Sequence, residues 1–238
     1  MRIDPKWVVF AISSYVLWIF CAAAFFTNWN LPFLSFDETI GTVASLAFAS
    51  SIGLSFLVYN LISRENRHAE REQEIGQELV VLAHPENPHK STSLLLSISS
   101  TEQDLSNFIN KSREHSAILW SLLVMIPYGG WVFLMIALYL LTQSSNNHEK
   151  LETVLLEDFD RTLTAAGVQH APIGNRPPHL RNGVAFLVGS IVTAGIVAWS
   201  WLYVMIIGED AHFSYHSIIE SELLRALPGL SEGIGRVS

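Results

Sequence analysis

Apolar residues run almost unbroken through four stretches of the chain, 7–26, 39–62, 117–142 and 183–207. Each is long enough, at 20 residues or more, to cross the hydrocarbon core of a bilayer as a helix. The pattern predicts helices over all four, with a short polar turn at 27–38 between the first two. The last two stretches break near their middles, one at Pro127, Gly129 and Gly130 and the other at Thr193 and Gly195. Each broken stretch leads through a polar corner, Gly208-Glu209-Asp210 in the second case, into an amphipathic helix. Apolar stripes at spacings of three and four mark these helices: Leu151, Val154, Leu155, Phe159 and Leu163 in one, Ile218, Ile219, Leu223, Leu224 and Leu227 in the other.

The two broken units are copies. Setting His148 on His212 sets Leu155 on Ile219, Phe159 on Leu223, Arg161 on Arg225 and Leu163 on Leu227, all at an offset of 64. A fainter third copy follows Gly53, where His68, Ile75, Leu79 and Ala83 keep the spacings seen after His148. Repetition fixes the building unit as a membrane segment followed by an amphipathic helix. The fold expected is an all-α integral membrane protein: two N-terminal transmembrane helices plus two Gly-broken segments, each with its amphipathic helix. The parts are a hairpin at 1–63, a helical region at 64–116, repeats at 117–165 and 183–228, a linker at 166–182 and a flexible tail at 229–238. In the second apolar helix Gly41, Ser45, Ala49 and Gly53 recur every fourth residue, a face smooth enough for close helix packing. A charged continuation at 63–82 stops at His84-Pro85, and a further helix is expected from Ser99 or Ser100, where Ser99 and Glu102 fit a capping box.

Composition agrees with a lipid setting. Half of the 238 residues are hydrophobic and only 15% are charged, against about 25% in soluble domains. A net charge of −8 opposes nucleic acid as a partner. Cys21, the only cysteine, excludes an intrachain disulfide and a multi-cysteine zinc site. All but two of the 14 Lys and Arg residues follow position 62, the other two being Arg2 and Lys6, and none lies between the first two apolar runs. Cations mark the cytoplasmic side, so the N-terminus is expected inside the cell membrane of a multi-pass protein. If the broken runs cross fully, the loop with Lys150, Arg161, Arg176 and Arg181 lies outside, against that rule. If each turns back at its glycines, every cation is cytoplasmic. The rule favours the re-entrant arrangement, which needs protein to cover its broken backbone.

Thr193, Gly195, Ile196, Trp201 and Tyr203 form a T-x-G-I-x4-W-x-Y pattern. In this it resembles a family of small prokaryotic membrane proteins known only as a domain of unknown function. The likeness covers the second repeat. It implies membrane architecture and no reaction.

Candidate chemistry is thin. His212 and His216 stand one turn apart, a spacing that can share a metal. The first copy has His148 with Glu152 and the third His68 with Glu72, so a polar helix start outside the membrane accounts for all three pairs, and no metal or cofactor is expected. His84, His89, His170 and His179 read as solvated loop residues, and Asp104, Glu114, Glu157, Asp158 and Asp160 as solvated helix faces. No Asp, Glu, Lys, Arg or His lies inside the apolar runs, which argues against a proton-coupled carrier. Nucleotide loops and nucleophile motifs are absent, so no enzyme is expected. The expectation is a non-enzymatic accessory or scaffold subunit, with membrane lipid and copies of itself or other membrane subunits as partners. A channel or transporter using the glycine breaks and a membrane-shaping hairpin protein are the alternatives.

Overall fold

A computed structural model describes residues 36–83, 92–111, 115–126, 129–170, 172–173, 180–193 and 195–236, together with Val16. Helix is the only regular structure among the described residues. The helices are α1 (Phe36–Ala83), α2 (Thr92–Lys111), α3 (Ala117–Val124), α4 (Gly130–Ala165), α5 (Gly183–Val192) and α6 (Ile196–Arg236). The helix expected at 7–26 and the break residue Pro127 lie outside the described residues. Within α1, the segment Ala44–Ala83 contains the one described stretch long and apolar enough to cross a membrane. Its apolar part ends at Ile62, after which charged residues begin.

Two compact units share the chain: Met1–Arg64, His115–Leu141 and Asn182–Ile207 form one, and Glu65–Glu114, Thr142–Arg181 and Gly208–Ser238 form the other. Each of α1, α4 and α6 contributes its first part to the first unit and its remainder to the second.

In the first unit, α3 is capped by Ser116, whose hydroxyl accepts from the Leu119 amide at 3.2 Å. Asn182 caps α5 likewise, its Oδ1 accepting from the Ala185 amide at 3.0 Å. Between α3 and α4 the chain closes on itself, with the Gly130 amide donating to the Ile126 carbonyl at 2.7 Å. A Cβ on Gly130 would sit 2.0 Å from the Val124 carbonyl oxygen, so no other residue fits there. Gly129 has no such constraint, the nearest atom to its Cβ position being 3.5 Å away. The α5–α6 break works differently: Gly195 takes φ +98°, a left-handed conformation that favours glycine. Thr193 ties both sides, donating to the Gly189 carbonyl at 2.7 Å and accepting from the Val197 amide at 3.1 Å. Leu54, Leu57, Val58, Leu61 and Ile62 of α1 pack with Leu134, Leu138 and Leu141 of α4 and Trp201, Leu202 and Met205 of α6. Trp201 is fully buried and stacks on Phe186 at 5.5 Å, whereas Ile196 and Tyr203 are exposed.

The second unit has its own core. Leu79 and Ala83 meet Leu94, Ile98, Leu105 and Phe108 of α2, Leu155, Phe159 and Leu163 of α4, and Ile219 and Leu223 of α6. Four expectations change. The polar corner at Gly208–Asp210 is not a break, because α6 runs through it unbroken, as α4 runs through Gln143–His148. Helix α2 begins at Thr92, so Ser99 and Glu102 are interior to it and form no cap. The stretch from 229, expected as a flexible tail, is helical to Arg236. Asp158 is buried rather than solvated; it accepts from the Ser100 hydroxyl at 2.6 Å and from Arg161 at 2.8 Å. Of the small-residue stripe in α1, Gly53 is buried, while Gly41, Ser45 and Ala49 are exposed.

Candidate functional site: a histidine–glutamate cluster

One stripe of each long helix faces a core. In α1 it reads Leu54, Val58, Leu61, Glu65, His68, Glu72, Ile75, Leu79; in α4 Leu134, Leu138, Leu141, Ser145, His148, Glu152, Leu155, Phe159. In α6 the same spacings give Ala198, Leu202, Met205, Glu209, His212, His216, Ile219 and Leu223. The alternating steps of three and four are those of one helix face. All these positions are apolar except three in succession on each helix, and those nine residues fall in the second unit.

The first polar position holds Glu65, Ser145 and Glu209. Arg181 comes in beside them, its guanidinium donating to Ser145 Oγ at 3.0 Å and lying 3.9 Å from Glu209. Asn146 fixes the Arg181 backbone in both senses, donating to its carbonyl at 2.7 Å and accepting from its amide at 2.9 Å. Burial, reinforced by the neighbouring charge of Glu209, pushes the Glu65 carboxyl up to about 8.

The next two positions converge six donors. Glu72 is 3.1 Å from His68 Nε2, 3.1 Å from His148 Nε2 and 3.0 Å from His216 Nδ1. Glu152 contacts His216 Nε2 and lies 3.6 Å from His212 Nε2 and 3.9 Å from His148 Nε2. His68 and His212 face each other Nε2 to Nε2 at 3.2 Å. Phe213 closes against the His68 ring at 4.6 Å and Phe108 against the His148 ring at 5.1 Å. Both Glu72 oxygens and His148 Nε2 are cut off from solvent and meet no partner at hydrogen-bonding angles. They lie close together all the same, His148 Nε2 being 3.1 Å from Glu72 Oε2. Buried polar atoms are ordinarily paired, and leaving one unpaired costs roughly 1–3 kcal/mol.

Electrostatics in the cluster divide by residue. For Glu72, burial works to raise the pKa, but the charges of His68 and His148 override it and hold the carboxyl well below its usual range. His148 is the complement: burial opposes its charge, Glu72 outweighs burial, and its pKa rises to about 9. Glu152 is pushed up to about 9, first by burial and then by the charge of Glu72. Burial, with the like charge of His216, takes His212 down to about 2, and burial also lowers His68.

Four overlapping triads have their ligand atoms within 4.8 Å of one another: His68–His212–His216, His68–Glu72–His148, His148–Glu152–His212 and Glu72–Glu152–His216. Imidazole and carboxylate donors suit first-row divalent ions such as Zn, Fe, Co or Mn, and with no thiolate among them the set does not favour Cu(I). The residues therefore fit a transition-metal ion. Sequence reasoning noted each i, i+4 pair but took them as separate helix starts. The missed signal was that each pair continues the apolar stripe of its own helix, so it points inward with Ile75, Leu155 and Ile219. Among the loop histidines, His84, His89 and His179 lie outside the described residues. His170 packs its side chain inward with Nδ1 3.6 Å from Asp160 Oδ1.

Comparison with protein-family models, with curated proteins and with solved structures finds no match to this chain.

Proposed function

We propose that this chain is a membrane-associated helical protein that binds a divalent transition-metal ion in the cluster of His68, Glu72, His148, Glu152, His212 and His216, with Glu72, Glu152 and His216 among its ligands and fewer than six of these side chains bound at once. The observation that carries the reading is the buried carboxylate of Glu72 with three imidazole nitrogens from three helices at 3.0–3.1 Å, inside a set of four overlapping triads of metal-ligating atoms. Metal sites assembled from facing helices of a bundle are an established use of such interiors. The reading assigns binding, and no reaction. Elemental analysis after dialysis of detergent-purified protein against Zn²⁺, Fe²⁺, Co²⁺ or Mn²⁺ tests it. At least one equivalent of one of these ions is expected to survive a wash with a weak chelator, and to be lost in Glu72→Gln and His216→Ala. Retention of no ion by the folded wild-type protein contradicts it.

The membrane setting and an assembly role belong to the same proposal. Phe48, Ile52 and Phe56 lie exposed on one face of α1, and Val184, Val188 and Ile191 are exposed on α5. Large apolar side chains exposed along a helix face are suited to lipid or to another subunit. Under this reading the chain anchors a metal centre within a homo- or hetero-oligomeric membrane assembly. Labelling of a cysteine at the exposed Asn147, in a Cys21→Ser background, is expected from the cytoplasmic side only. Native mass in detergent tests self-association, and a strict monomer opposes the oligomer.

A further inference from the structure

Beside the cluster lies a small cleft whose lining includes Glu72, Glu152 and His216 together with Leu155, Phe159 and Ile219. Its free volume is about 20 Å³, above the roughly 10–15 Å³ that one water molecule needs. Three of the four polar residues lining it, Glu72, Glu152 and His216, are one complete metal-binding triad, their ligand atoms within 4.8 Å of one another. Leu155 is 2% exposed and Ile219 6%, so the apolar wall is packed side chain rather than open surface. Glu220 also borders the cleft, its carboxylate held by Arg71.

Closed structural metal sites have all their positions filled by protein, whereas sites that bind or transform a substrate keep one position open to a small ligand. The cleft supplies space for such a position on the Glu72–Glu152–His216 side. Most of the remaining lining, Ile75, Leu155, Leu156, Phe159, Ile219 and Leu223, offers no side-chain hydrogen-bond donor or acceptor. A ligand on a metal held by the triad would share the cleft with hydrocarbon. Resting on the metal reading above, we propose that the bound metal keeps one exchangeable coordination position for an uncharged diatomic ligand, seated in the cleft that the carboxylate–imidazole triad shares with Leu155, Phe159 and Ile219. Binding forms one metal–ligand bond and displaces at most a coordinated water, with no electron leaving the site.

The test uses nitric oxide on full-length, detergent-solubilised protein loaded anaerobically with Fe²⁺, with iron content measured on the same sample. The quartet-spin EPR signal of a ferrous–nitrosyl adduct is expected in proportion to bound iron. Leu155→Phe, which fills the cleft, should retain iron and lose at least tenfold of the adduct. Leu155→Ala, which widens it, should retain iron, keep the adduct and admit azide, seen as a new charge-transfer band after oxidation to the ferric form. Opposite effects of the two substitutions are not expected of a residue that only supports packing. Full iron loading without a nitrosyl adduct, or an adduct indifferent to both substitutions, overturns the open position while leaving metal binding intact. Failure to load iron, with Zn²⁺, Co²⁺ and Mn²⁺ equally refused, overturns both.

Discussion

The stripe of α1 that carries Leu54, Val58 and Leu61 in one core carries Glu65, His68 and Glu72 further along, and α4 and α6 make the same change at the equivalent positions. In the first unit three helices meet through Leu, Val, Met and Trp side chains that exclude water. In the second the apolar core resumes at Ile75, Leu155 and Ile219, after the polar positions. The geometry that buries leucine in one unit buries histidine and glutamate in the other. Burial of an apolar side chain is favourable wherever it occurs, whereas burial of these six is costly unless something binds them together. That asymmetry identifies the polar positions as the part of the bundle under a different demand.

The comparison can be broken from either side. Leu138→Ala, at a fully buried position of the apolar core, is expected to lower stability by about 2–5 kcal/mol. Metal stoichiometry in the remaining folded protein should not change, a pairing checked by denaturant titration with elemental analysis. Glu72→Gln keeps the shape of the cluster and removes the charge. Outer partners of metal ligands are worth about 10–100-fold in affinity, so loss of this ligand should weaken binding by about 100-fold or more, read by competition with a chromogenic chelator. Replacing all six cluster residues by leucine or methionine makes the second unit resemble the first. Metal binding should vanish while the metal-free protein gains about 1–4 kcal/mol, as found when buried ionic groups give way to packed hydrocarbon. A large loss of stability in that variant would mean that the cluster supports the fold without metal.

A pH-dependent effect concerns Glu65. Its folded-state pKa is raised from 4.5 to about 8, so the native state holds a proton that the unfolded chain releases above 4.5. Its contribution to stability is therefore fully present at acidic pH and declines as pH rises toward 8. Glu65→Gln removes that dependence. Thermal melts of the two proteins should differ little near pH 4.5, and the variant should be the more stable near pH 8.

Much of this was legible in the chain. The 64-residue offset aligns Leu155 with Ile219 and Phe159 with Leu223, and all four residues lie in one core. The breaks at Gly130 and Gly195 were visible because glycine is the residue that tolerates a close backbone approach or a positive φ. The cluster was not assembled because its donors come from three helices far apart in sequence: His68 and His212 are 144 residues apart. Each pair alone looks like a polar helix start at a membrane boundary, and Gly208-Glu209-Asp210 looks like a corner. Arg181 accounts for part of that error. Its guanidinium packs so closely on Gly208 that a Cβ there would lie 2.1 Å from Nη2, so the glycine serves a contact rather than a turn. Nor could local pattern announce that Asp158 turns inward to Ser100, since the partner belongs to another helix.

X-ray absorption at the metal edge of the loaded protein tests the central claim most directly. The account predicts a first shell of nitrogen and oxygen only, with metal–ligand distances of about 2.0–2.2 Å for zinc, and outer-shell scattering from imidazole rings that weakens in a His212→Ala variant. An all-oxygen shell without imidazole scattering, unchanged in that variant, would contradict it.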